Sequence, residues 1–184
     1  QNVQIINRKC HELKVQIADL RRLQPDAAVS QSLDEAEQAA RMYDANAATG
    51  NEVLDVVLTE KSLLCEAQRI RLNCVADGTC LAAIEPGDLY ALFSNLLDQA
   101  IDAAAQQRDT DRRMIDLLVC RRQGFAVVNV IGPHSAEQPD HGRRHSYELK
   151  VARRIVHKYS GTMATEPRGA LFAVKIVLPP PKAE

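Results

Sequence analysis

Residues 92–104 read LFSNLLDQAIDAA, and no other stretch limits the fold as much. Leu92, Leu96, Leu97, Ala100, Ile101 and Ala104 recur at helical spacing and make one apolar face. Asn95, Asp98, Gln99 and Asp102 lie between them. Asn95 and Gln99 are four residues apart and project from the same side of the helix. A buried helix carrying two neighbouring carboxamides either satisfies them inside a core or makes them the floor of a polar site.

The first 48 residues have a different texture. Val3, Ile6, Cys10, Leu13, Ile17 and Leu20 are spaced 3, 4, 3, 4, 3, an a/d heptad seam. Gln24-Pro25-Asp26 ends this helix, because proline disfavours helix in the residue before it. A second helix begins near Ser30 or Ser32, with Leu33, Ala36, Ala40, Tyr43 and Ala47 again stepping by 3 and 4. Two such helices joined by a short loop form an antiparallel hairpin. The hairpin either packs on its own globular domain or dimerises into a four-helix bundle. The length of the seam and its lack of glycine favour the dimer. The expected domains are therefore residues 1–48, a helical hairpin, and residues 49–184, a globular unit.

Thr49-Gly50-Asn51 breaks the heptad pattern. A helix is expected over 52–67, then short strands over 70–76 and 80–84. Pro86 opens the next helix, since proline suits a first turn. Met114 to Cys120 and Phe125 to Ile131 read as a strand pair turning at Arg121 to Gly124. Residues 132–145 carry two prolines and two glycines and read as a loop. Residues 147–159 read as a helix with Gly161 as its C-cap. Closing strands are expected over 162–164 and 171–178. Helices on one side of a mixed sheet give a two-layer α/β sandwich, an α+β fold.

Composition sets the outer limits. A net charge of −1 gives no general attraction to nucleic acid or anionic membrane. Aromatic residues at 4%, with no Trp, argue against base-stacking platforms. Five cysteines without a CxxC pair point to a reducing cytoplasm rather than a disulfide framework or zinc site. The opening QNVQIINRKC reads as mid-helix, so the chain is expected to be the soluble end of a longer protein.

Four segments together resemble one family. Residues 92–104 look like the N-box of the GHKL ATPases, whose kinase form is close to NLLDNAIEA. NRKCHELKVQI at 7–17 resembles the phosphoacceptor box of histidine kinases in the quorum-sensing and citrate-sensor group, close to CHDLKHQI. GNEVLDVVLTEKSLL at 50–64 resembles the joint between hairpin and ATPase domain in that group. RRIVHKYSGTM at 153–163 resembles its RxIVEKYGG segment. The resemblance implies a GHKL (Bergerat) sandwich behind a dimerising hairpin. It also implies ATP and Mg²⁺ as cofactors, a homodimer, a response-regulator receiver domain as partner, and a cytoplasmic place in a membrane-anchored receptor whose sensor region is missing from this chain. Residue by residue, it makes His11 the phosphoryl acceptor and Glu12 the group that orients its ring or takes its proton. Gln16, in an HExxxQ spacing, would position the water that dephosphorylates the regulator. Asn95, Gln99, Gly132 and Lys158 fall at nucleotide-binding positions, with Gln99 as the metal ligand. His11 falls beside the seam residue Cys10, on the solvent flank, where an imidazole that is largely unprotonated at neutral pH can act as a nucleophile.

Three positions depart from the family pattern. Gln99 replaces the second N-box asparagine and sets its amide oxygen one methylene further out, whereas Mg²⁺ demands near-ideal octahedral geometry. Gly132, before Pro133, stands where relatives carry the Asp or Asn that contacts the adenine amino group. His145-Ser146-Tyr147-Glu148 replaces the HGxG lid, whose glycines let backbone N–H groups approach phosphate. Each lost contact is worth roughly 1–3 kcal/mol, so three together weaken ATP binding by about 10² to 10⁶. The expected function is thus the transmitter of a sensor histidine kinase with a weakened ATP site. The alternative is a kinase-inactive phosphatase or a non-catalytic dimeric scaffold for a response regulator.

Overall fold

The computed structural model describes residues 48–134 and 142–180, with the backbone alone given for 142–146. The chain divides between Ala48 and Thr49, and the expected hairpin, with His11, Glu12 and Gln16, lies outside the described residues.

Asn51 starts the first helix, α1 (Glu52–Ala67), by accepting bonds from the N–H groups of Val53 and Leu54 at 3.1 and 3.2 Å. Leu54, Val57, Lys61 and Cys65 form its buried stripe. The helix closes on Arg69, which takes a left-handed φ of 56°, and Ile70 N–H reaches back to Cys65 O. Strand β1 (Arg71–Ala76) follows, then a 3-10 turn at Gly78–Leu81. The strand expected over 80–84 is this turn instead. Asp77 caps it by accepting from Thr79 N–H, and the apolar run CLAAI is too short for periodicity to tell strand from turn.

Helix α2 (Pro86–Ala105) is the predicted central helix, with Pro86 in its first turn. Strands β2 (Met114–Arg122) and β3 (Phe125–Pro133) pair antiparallel through a two-residue turn. Gln123 and Gly124 both have positive φ there, 51° and 85°, as a turn of this hand requires. Helix α3 (Gly142–Lys158) and strands β4 (Thr162–Arg168) and β5 (Leu171–Leu178) complete the fold.

The sheet order is β1-β2-β3-β5-β4, with β1 and β2 parallel and the other pairs antiparallel. Burial alternates along the strands. Ile115, Leu117, Val119, Val128, Val130, Val174 and Ile176 meet the buried faces of the three helices in one core, with Phe93, Leu92 and Leu97 of α2 fully enclosed. The architecture is the expected α+β two-layer sandwich on a mixed sheet.

Two boundaries differ from the sequence reading in ways that bear on function. Strand β3 runs on through Gly132 and Pro133, and α3 begins at Gly142, inside the span read as a loop. Arg, Glu, Leu and Lys around 143–150 are good helix formers, and no proline or glycine interrupts them after Gly142. The end of α3 differs too. Ser160, not Gly161, takes the left-handed conformation, with φ 57°. Gly161 N–H returns to Val156 O at 2.9 Å and Ser160 N–H to His157 O at 3.0 Å, a Schellman arrangement. Gly161 is needed for closeness: an added Cβ would lie 2.6 Å from Leu178 Cδ2 and 2.8 Å from Val177 O. Gly161→Ala is therefore expected to cost about 1–3 kcal/mol through overpacking, read as a lower urea midpoint at unchanged slope.

Candidate functional site

Helix α2 presents its polar residues between α1 on one side and α3 on the other. On the α1 side, Lys61 is buried and its ammonium sits 2.8 Å from Asp98 and 3.3 Å from Glu60. Burial alone would lower its pKa, but the bonds and charges of Asp98 and Glu60 raise it above the ordinary lysine value. Tyr90 of α2 donates to Glu60 at 2.9 Å, so the two helices are tied at two levels. Sequence reasoning missed this bridge, although the signal was present: Lys61 occupies the apolar 54-57-61-65 stripe of α1.

On the α3 side, Lys158 bonds Asp88 at 2.6 Å and Glu85 at 3.0 Å, and Tyr159 donates to Asp88 at 2.7 Å. The bonds from Lys158 and then Tyr159 hold the Asp88 carboxyl below its usual range, and Asp88 and Glu85 raise Lys158 above the usual lysine value. These contacts fix the C-terminal end of α3 to the N-terminal end of α2. The depressed Asp88 pKa stabilises the fold at neutral pH, and that contribution fades as pH falls below the ordinary carboxylate range near ~4. Asp88→Asn should lower the urea midpoint at pH 7, and the gap to the parent should narrow as pH falls through and below the ordinary carboxylate range.

Asn95 is half-buried and donates to Ala91 O at 2.6 Å, so its amide oxygen is turned away from the helix backbone and can accept or coordinate. Gln99 is buried, and among the described residues its side chain has no hydrogen-bond partner. Gly132 approaches the same helix: a Cβ there would lie 3.7 Å from Ala100 Cβ and 3.8 Å from Ile115 Cγ1. The structure thus sets Gly132 against Ala100, the residue after Gln99, with Asn95 one turn back from Gln99 along α2. It does not bring Lys158 there, since that ammonium is bound at Asp88, seven residues and about 10 Å along α2 from Asn95.

The lid segment is helical. From Ser146 onward the backbone N–H groups of α3 have partners one turn back within the helix, which removes them as a phosphate cradle. Tyr147 is 67% exposed, whereas Glu148 is buried at 8%. Glu148 belongs to the stripe that continues through Ala152, Ile155 and Val156 into the core.

A nucleotide and Mg²⁺ can be tested against this donor set. Asn95 offers one neutral oxygen. In the helical lid segment the protein has buried Glu148 in place of glycine backbone, and at Gly132 it has no side chain to offer a base. These residues fit the nucleotide–metal pair poorly. A separate cavity of about 980 Å³ lies at the end of the sheet, lined among others by Gln106, Arg108, Asp116, Pro133, His134 and Leu171. None of Asn95, Gln99, Gly132 and Lys158 lines it. Among the described residues no cluster of His, Cys, Asp or Glu is arranged to hold a metal ion, and no helix is long and apolar enough to cross a membrane.

Comparison with known proteins agrees with this architecture. A sequence profile of the GHKL domain matches residues 84–179, from the turn before α2 to the end of β5. No curated protein matches the chain. Among solved structures, the nucleotide-free catalytic domain of histidine kinase ThkA is similar at a TM-score of 0.53 and 14% identity, over 72% of this chain and 92% of that one. The Acinetobacter baumannii histidine kinase AdeS is similar at a TM-score of 0.51 and 15% identity, over 94% of this chain and 98% of that one. At such identities the likeness is one of fold.

Proposed function

The chain belongs to the GHKL family, and on that premise we propose that it is the transmitter region of a two-component sensor histidine kinase whose ATP site is weakened. Residues 1–48 form the dimerising hairpin in this reading, and residues 49–184 the GHKL domain. His11 accepts the phosphoryl group, Glu12 assists it, and a response-regulator receiver domain takes the group onward. The likeness in fold to ThkA and AdeS supports the kinase lineage. Weak use of Mg-ATP is supported by the burial of Glu148 on α3, in the segment where the family carries its glycine lid. A helix there commits the backbone N–H groups that a glycine loop would turn toward phosphate.

The same burial favours a second reading, in which the protein acts on its regulator without ATP. Gln16 then orients water toward the regulator's aspartyl phosphate, through a carbonyl oxygen that accepts and an NH2 that donates. The two readings separate in one set of assays. The full chain incubated with ATP labelled at the γ-phosphate is expected to take up little label, and what it takes up is lost in His11→Ala. Phosphate release from a phosphorylated receiver domain is expected to disappear in Gln16→Ala if the second reading holds. Rapid, stoichiometric labelling of the parent contradicts the weakened site.

A further inference from the structure

Phe172 is the Cα partner of Gly132 in the β3–β5 register. Directly opposed residues project from the same face of a sheet, with their Cβ positions about 5 Å apart. The face in question looks onto α2, because a Gly132 Cβ would meet Ala100 and Ile115. Phe172 is half-buried and packs against the core on that side. Its ring also stacks on His134, with centroids 5.8 Å apart and planes inclined by 20°. The two-ring stack is held from the backbone as well, since His134 N–H donates to Ala170 O at 2.8 Å, two residues before Phe172.

These contacts put an aromatic side chain beside the one position of the site that has no side chain. We propose that Phe172, backed by His134, fills the base-binding end of the GHKL pocket from within, so that this chain excludes adenine. The proposal rests on the weakened-site reading but concerns a different residue and a different part of the ligand. A ring in that place buries apolar surface that an empty base pocket would leave wet, which gives the substitution a stabilising reason of its own. Gly132 complements it. A side chain there would meet its nearest neighbours at ordinary contact distance, so the glycine is not forced by space at Cβ.

The test uses the full chain and adenosine, which has no phosphates and so does not report on Gln99 or Glu148. Calorimetric titration should show no saturable adenosine binding by the parent in the micromolar range. Phe172→Ala combined with Gly132→Asn should raise the affinity at least tenfold, because it clears the base end and supplies a hydrogen-bonding amide. Should that variant fail to melt cooperatively, Phe172→Val with Gly132→Asn carries the same expectation with less loss of packing. Magnesium tripolyphosphate, the second probe, should bind these variants no better than the parent. Parent chain that binds adenosine at micromolar concentration overturns the proposal, since the aromatic pair would then be a platform for the base. A folded variant with no gain overturns it equally.

Discussion

Glu148→Gly combined with Gln99→Asn is expected to raise the affinity for Mg-ATP by between about 30-fold and 10⁴-fold, taking roughly 1–3 kcal/mol for each restored contact and tenfold per 1.4 kcal/mol. The glycine removes the buried Glu148 side chain and loosens the first turns of α3, where the backbone N–H groups are otherwise committed to the helix. Asparagine draws the amide oxygen back by one methylene, toward the short metal distances that Mg²⁺ requires. Titration of parent, single and double variants gives the comparison. The double variant should gain more than the sum of the singles, because a metal held by the shorter amide binds usefully only when no carboxylate competes with the phosphates. Glycine in a helix interior costs about 1 kcal/mol, so a melt of each variant accompanies the titration. A double variant that is folded and gains nothing removes Glu148 and Gln99 from the account.

The largest stability effect is expected at Phe93. This side chain is fully enclosed between α2 and the rest of the core, and Phe93→Ala should cost about 3–5 kcal/mol through lost burial and the cavity left behind. That is a large share of the stability of an ordinary domain. Urea unfolding of the full chain should show a much lower midpoint for the transition that involves residues 49–184. Tyr147→Ala is the contrast. Tyr147 is mostly exposed, and its loss should stay within about 0.5 kcal/mol. A cost near zero at Phe93 is incompatible with α2 as the centre of the core.

Much of the fold was legible because periodicity and burial agree. The apolar face of α2 is that read from Leu92 to Ala104, and residues 171–178 alternate as a strand should. The misread parts have local causes. CLAAI at 80–84 is apolar but short, and Asp77 turns the chain there into a 3-10 turn by accepting from Thr79 N–H. The glycines and prolines of 132–142 hid the start of α3, because punctuation residues mark a loop without marking its last residue. At the site, Asn95, Gln99 and Gly132 could be singled out from their spacing against a known pattern, and the structure sets Gly132 against Ala100 of α2. Lys158 carried the same kind of signal, yet its partners are Asp88 and Glu85. Phe172 gave no signal at all, because its place beside Gly132 depends on a cross-strand register that no local pattern encodes.

These observations give the chain two levels of identity. The Lys61–Asp98 bridge, the Asp88–Lys158–Tyr159 network and the shared core keep the GHKL sandwich intact. The departures from the family pattern lie on α2, α3 and β3, and a fold can lose a ligand without losing its packing.

The central claim is that the sandwich has kept its architecture while its nucleotide site has become weak. Calorimetric titration of the full chain with ATP in excess magnesium tests it most directly. Binding is expected at about 1 mM or weaker, corresponding to no more than roughly 4 kcal/mol. Saturation of one site per chain in the micromolar range contradicts it.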